Sequence, residues 1–168
     1  MRLASLTRAD ARPIDSSATM SAGVLAGAAF LAVLVLFTPE PWWMPPQREA
    51  SLFVAGPAAL KTFSFSLFMI GIIVHLAWSV LLASAIDEGV RRLALLPAIA
   101  AGAVLGAALY FIDAAIAIAW APWVAPAKGL TMFFAHVVYG MVAAGAYEGI
   151  EEQHARRRAA EEVAEDRL

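Results

Sequence analysis

The chain has 168 residues, enough for a single domain. Apolar residues make up 61 % of it and charged residues 15 %, against roughly 45–50 % and about 25 % in soluble domains; a soluble fold of this size could not hide that much apolar surface, whereas lipid can. There is no cysteine, which excludes disulfides, thiolate metal sites, iron–sulfur clusters and cysteine nucleophiles, and the formal net charge of −2 says little because the charges are clumped at the ends and in loops.

Residues 1–18 read as a polar tail with Arg2, Arg8, Arg12, Asp10 and Asp15. Residues 19–38 carry no charge, and at about 1.5 Å per residue they cover a ~30 Å hydrocarbon layer. A signal peptide is the rival reading of a basic start before an apolar run. The run is longer than a usual signal core and no small-residue cleavage site follows, so a first membrane span is expected.

Pro39, Pro41, Trp42, Trp43, Pro45 and Pro46 come next. Such a run predicts a break in helical structure, and Trp42 and Trp43 suit a membrane interface as anchors. Residues 39–62 are expected to form a longer outer connection with Arg48, Glu49 and Lys61, containing a short interfacial helix over 50–54. The second span is expected over 63–86, followed by a polar turn with Asp87, Glu88, Gly89, Arg91 and Arg92. The third, over 93–121, is long enough to tilt; Pro97 lies in its first turns, where proline is tolerated, and Asp113 interrupts it. Pro122, Trp123, Pro126 and Lys128 mark a second outer loop, with Trp123 as a further interface anchor. The fourth span covers 130–147. Residues 148–168 read as a charged, solvated helical extension with Glu152–Arg156 and Arg158–Glu162 at i,i+4 spacing, and His154 is expected to be solvated with it.

The fold class that follows is an all-α polytopic membrane protein, a four-transmembrane-helix up-down bundle of two tandem hairpins. Arg2, Arg8, Arg12, Arg91, Arg92, Arg156, Arg157, Arg158 and Arg167 fall on one side, and Arg48, Lys61 and Lys128 on the other. The excess of basic residues assigns both termini to the cytoplasm of a bacterial inner membrane.

An internal repeat runs through the spans. Residues 22–29 and 101–108 both read A-G-x-x-x-G-A-A, and His75-x-x-Trp78-Ser79 parallels His136-x-x-Tyr139-Gly140. A hairpin duplicated head to tail accounts for both matches and relates the halves by an axis along the membrane normal, unlike the inverted repeats of many transporters. Gly23/Gly27 and Gly102/Gly106 put bare patches on one helix face, which lets backbones approach closely; the tight contacts are expected at spans one and three.

The intramembrane polar residues are His75, Ser79, Asp113 and His136. Asp113 is the costliest, at about 2.5–3.5 kcal/mol for a carboxylate at mid-span. It reads as a proton or cation site, or as a hydrogen-bond partner of His136, His75 or Ser79. No second carboxylate is expected inside the membrane to make a relay or a two-metal site. His75 and His136 at matched depth could bracket a b-type haem or hold a metal with Asp113; the plainer expectation is that each bonds a neighbouring helix and that neither cofactor nor metal is bound. Arg156–Arg158 is short and followed by acids, which fits membrane orientation rather than nucleic acid.

The Pro-Trp-Trp-Met-Pro-Pro at 41–46, Gly56-Pro57, His75 with Ser79, Gly106-Ala107-Ala108-Leu109-Tyr110, Ala121-Pro122-Trp123, and Ala135-His136 with Tyr139-Gly140 carry a resemblance. Over roughly residues 20–147 the chain resembles small uncharacterised bacterial four-helix membrane proteins that often carry a sodium:proline symporter label. In that family an amide often stands near position 113, from which Asp113 departs, and the resemblance implies no catalytic residue. The symporter label conflicts with a parallel repeat of four unbroken spans, since such carriers use inverted repeats and discontinuous helices. The functional expectation is therefore a non-enzymatic structural or accessory protein whose partners are the lipid bilayer, copies of itself or another membrane protein. An oligomeric proton or cation transporter or channel using Asp113, and a haem protein using His75 and His136, are the alternatives.

Overall fold

The computed structural model describes residues 15–127 and 129–165. Arg2, Arg8, Asp10, Arg12, Lys128 and Arg167, which enter the tail and orientation arguments, lie outside the described residues. Five α-helices follow one another: α1 (Ser16–Phe37), α2 (Met44–Ser51), α3 (Phe65–Val90), α4 (Leu95–Trp120) and α5 (Leu130–Glu165), with 3-10 turns at Gly56–Leu60 and Pro122–Ala127. There is no strand among the described residues. The helices α1, α3, α4 and α5 are each long and apolar enough to cross a membrane, and the protein is an all-α polytopic bundle.

Local chemistry sets the helix ends, and it moves several of them from where the sequence pattern puts them. Asp15 caps α1, its Oδ1 accepting from the backbone N–H groups of Ser17 and Ala18 at 3.1 Å each. Helix α2 begins inside the proline run, because Pro45 and Pro46 fall in its first turn, where a missing N–H costs no hydrogen bond. The interfacial helix expected at 50–54 is thus displaced upstream. Helix α3 runs on to Val90, and residues 91–94 suffice for the turn into α4. Asp87 therefore belongs to the helix rather than to a polar turn. Helix α5 passes from its apolar half into the charged tail without a break.

Consecutive long helices run antiparallel, and glycines set the closest approaches. A β-carbon on Gly23 would lie 2.7 Å from Val80 Cα, and one on Gly27 would lie 2.5 Å from Ser79 Oγ. In the second hairpin, a β-carbon on Gly102 would lie 2.3 Å from the Gly140 carbonyl oxygen, and one on Gly106 would lie 2.1 Å from that of His136. Each glycine pair on α1 and α4 thus meets its own hairpin partner, α3 or α5. With no hydrophobic drive between helices in lipid, this backbone proximity supplies dispersion instead.

The two hairpins meet unevenly. Helices α1 and α5 form the inner pair, joined by Ala18 and Ala22 against Tyr147 and by Ala26, Phe30 and Leu34 in one cluster with Ala135, Tyr139 and Ala143. Helices α3 and α4 approach each other far less. In the register of the two A-G-x-x-x-G-A-A segments, Leu105 and Leu109 stand where α1 has Ala26 and Phe30. Leucine replaces alanine at the first of those positions and holds the backbones apart.

At the loop end, α2 folds back onto α3 over Gly71, where a β-carbon would lie 1.9 Å from the Pro46 carbonyl oxygen. Gln47 is fully buried and pins the following loop: its Nε2 donates to the carbonyls of Ala59 (2.6 Å) and Thr62 (3.0 Å), and its Oε1 accepts from Ser64 N–H (2.7 Å). Arg48 pairs with Glu40 at 2.5 Å, and Ser51 Oγ receives the Trp123 indole N–H at 3.2 Å. The aromatic pair Trp42 and Trp43 packs on Phe63 with ring centroids 5.9 and 6.0 Å apart.

Candidate functional site

His75 and His136 lie on the inward faces of α3 and α5, both buried. Phe30 of α1 stands between them, its ring centroid 5.5 Å from His75 and 4.9 Å from His136. One phenyl ring thus contacts both imidazoles. Tyr110 closes on the far side of His136 at 5.6 Å.

Each imidazole is matched to one carboxylate. His75 Nε2 faces the Gly27 carbonyl oxygen at 3.0 Å, and a carbonyl only accepts, so Nε2 carries a hydrogen. Its Nδ1 lies 2.6 Å from Glu49 Oε1. Two lone pairs would repel at that distance, so one proton lies between them, on the imidazole or on the carboxyl. His136 repeats the arrangement with its nitrogens exchanged. Its Nδ1 donates to the Met132 carbonyl at 2.9 Å, one turn back in its own helix. Its Nε2 meets Asp113 Oδ2 at 3.2 Å, again with one proton between.

Asp113 therefore reaches His136, and neither His75 nor Ser79. An interhelical hydrogen bond in a membrane contributes only about 0.6 kcal/mol on average, while a lone carboxylate at depth costs about 2.5–3.5 kcal/mol. The pair thus acts mainly by avoiding the penalty of an unmatched acid. Ser79 lies one turn beyond His75; its carbonyl accepts a short hydrogen bond from the Tyr139 hydroxyl, which ties α3 to α5. The carboxylates are the more open partners, with side-chain exposures of 25 % for Glu49 and 31 % for Asp113, against 6 % and 8 % for the two imidazoles.

Two further acids reach the interior of the bundle beside Asp113. Glu49 comes from α2, a helix outside the spans, and reaches a histidine 26 residues further on. No periodicity in the sequence carries that signal. Asp87 is fully buried in α3. A signal for it existed: Gly71, His75, Ser79, Ala83 and Asp87 recur every four residues and form one buried stripe.

For a haem, the arrangement offers no free imidazole nitrogen. Both nitrogens of His75 and His136 are engaged, and the Phe30 ring occupies the space between them. Among the described residues, no group of three His, Asp or Glu side chains could hold a metal ion.

At the opposite end the tail helix is clasped rather than wholly solvated. His154 Nδ1 lies 2.7 Å from Asp15 Oδ2, and Arg158 approaches the same oxygen at 3.8 Å. The Ser17 hydroxyl and then His154 hold the Asp15 carboxyl well below the usual carboxylate range.

The chain matches no family model, no curated protein and no solved structure. Its class rests on its own architecture: a membrane-type helical bundle in which each buried imidazole is matched to a carboxylate from another helix.

Proposed function

We propose that this is a non-enzymatic integral protein of a bacterial inner membrane, acting as a structural or accessory partner, with both termini in the cytoplasm. The observation that carries the reading is how the intramembrane polar groups of the loop-end cluster are used. The His75, Asp113 and His136 side chains are all engaged with Glu49, Gly27, Met132 or one another, the Ser79 carbonyl accepts from Tyr139, and Phe30 separates the two imidazoles. Catalysis needs groups aimed at a substrate, whereas these groups hold five helices together. The large residues left exposed, including Ile73, Trp78, Leu81, Val104, Phe111 and Ile116, are apolar and suit lipid or another membrane helix.

The matched glycine contacts and the shared packing of the two histidines on Phe30 support descent from one duplicated hairpin. The basic-residue bias supports the cytoplasmic termini. Single cysteines at exposed Lys61, Glu88 and Gln153 test the orientation in a chain that has none. An impermeant thiol reagent on intact spheroplasts should label the first and spare the other two. The accessory role is tested by extraction in mild detergent and native mass measurement. A defined assembly larger than one chain is expected; a clean monomer that turns over a substrate would sink the reading.

A second reading, an oligomeric proton or cation path, is favoured by the 31 % exposure of the Asp113 side chain. Proteoliposomes carrying wild type and Asp113→Asn decide it. Flux at the level of empty vesicles in both removes it.

A further inference from the structure

A second buried polar cluster lies at the end of the bundle that carries the termini, apart from both His–carboxylate pairs. Asp87 sits twelve residues beyond His75 on α3, about 18 Å along the axis at 1.5 Å per residue. Its exposure is 0 %. Thr19 of α1, 6 % exposed, stands beside it, and Glu148 of α5, 1 % exposed, is close enough to act on its charge. Glu151, one turn on in α5, is buried as well.

Neither oxygen of the Asp87 carboxylate has a hydrogen-bond partner among the described residues, and neither has the Thr19 hydroxyl oxygen. Arg91, one turn beyond Asp87, donates through one guanidinium nitrogen to Glu88 at 2.8 Å and has a further interaction besides. Glu148 and Glu151 are engaged in contacts of their own. Thr19 of α1 and Glu148 of α5 thus stand beside a fully buried α3 carboxylate whose oxygens meet no hydrogen-bond partner at bonding distance among the described residues. Burying an anion without a partner is costly, and a second carboxylate nearby raises the cost.

The chemistry of what would complete this cluster is restricted. Carboxylate and hydroxyl oxygens are hard donors that suit alkali and alkaline-earth ions rather than soft metals. A divalent ion takes six or more oxygens, and no three acidic or histidine side chains form a metal-holding group among the described residues. We propose that Asp87 and Thr19, with Glu148 alongside, bind one monovalent alkali cation at the terminus end of the bundle. The ion ties α1, α3 and α5 together where the tail helix leaves the membrane. This site is independent of Asp113 and of the accessory reading.

The test uses the full-length protein in detergent micelles. Its unfolding temperature is measured in sodium, potassium and lithium chloride, each titrated against N-methylglucamine chloride at constant ionic strength. The wild type is expected to gain stability with at least one alkali ion along a saturating, one-site curve. Asp87→Asn should lose that response, whereas Asp113→Asn should keep it. Should Asp87→Asn fail to fold, Thr19→Val carries the same test: the midpoint of the wild-type titration should move to at least tenfold higher cation. Equal wild-type unfolding temperatures in all salts would overturn the site. So would a linear, non-saturating response, or a Thr19→Val midpoint that does not move.

Discussion

The two hairpins place a histidine at the same position of the repeat and satisfy it differently. In the first, His75 takes its carboxylate from α2, a short helix outside the spans, and gives its other nitrogen to the neighbouring α1. In the second, His136 takes its carboxylate from the spanning α4 and gives its other nitrogen to its own helix. The glycines differ in the same way. Gly27 comes up against a side chain, Ser79, whereas Gly106 and Gly140 come up against backbone carbonyls. At the second glycine of each segment the contact is therefore adaptable in one half and rigid in the other, whereas the first glycine, Gly23 or Gly102, meets backbone in both.

The rigidity difference predicts the largest effect. Gly106→Ala sets a β-carbon 2.1 Å from the His136 carbonyl oxygen, so α4 and α5 must separate. A loss of about 3 kcal/mol or failure to fold is expected, near the upper end of overpacking costs. Gly27→Ala meets the Ser79 hydroxyl, which can rotate, and should cost about 1 kcal/mol. Reversible unfolding in mixed micelles measures both, and equal losses would break the comparison.

Removing the carboxylates sharpens it. Glu49→Leu leaves His75 Nδ1 facing an apolar side chain and removes one tie between α2 and α3, with an expected loss of about 2 kcal/mol. Asp113→Leu also removes a costly membrane carboxylate, so the loss should be smaller, about 1 kcal/mol. A greater loss at Asp113 would reverse the assignment of the two roles. The exchanged nitrogens are testable without mutation. In protein labelled with nitrogen-15 histidine, Nε2 of His75 and Nδ1 of His136 should each carry a hydrogen at every pH at which the fold persists. A bare nitrogen at either position contradicts the carbonyl bonds.

The smallest effect lies outside the membrane. Asp15 caps α1 and meets the tail at His154, and its carboxyl is held below the ordinary range. A carboxyl depressed in the folded state contributes stability above its unfolded value of about 4 and loses it as pH falls through the lower folded value. Asp15→Ala should therefore cost about 1 kcal/mol at neutral pH. Its deficit against wild type should shrink only in strong acid, as read from parallel unfolding curves at pH 7 and at pH well below 4.

Legibility in the sequence followed the range of the interaction. Four apolar stretches, the interrupting Asp113 and the paired glycine segments could be read from composition and spacing, because a helix in lipid must satisfy its own backbone. The offset of four along His75, Ser79, Ala83 and Asp87 was equally available, yet the cluster of charges at 87–92 resembled a turn and masked it. The start of α2 was hidden for a different reason: prolines that break a helix interior also open a first turn.

Chain order and hydropathy alone determined that this protein is an antiparallel bundle of four membrane-length helices, because each span is local and the bilayer allows few alternatives. Only the tertiary structure decided that Glu49 serves His75, that Phe30 parts the two imidazoles and that Thr19 stands beside Asp87. Those contacts join residues 26 to 106 positions apart. Which side chains meet across such distances depends on how closely the helices approach and at what rotation, and glycine, alanine and leucine at the interfaces set that.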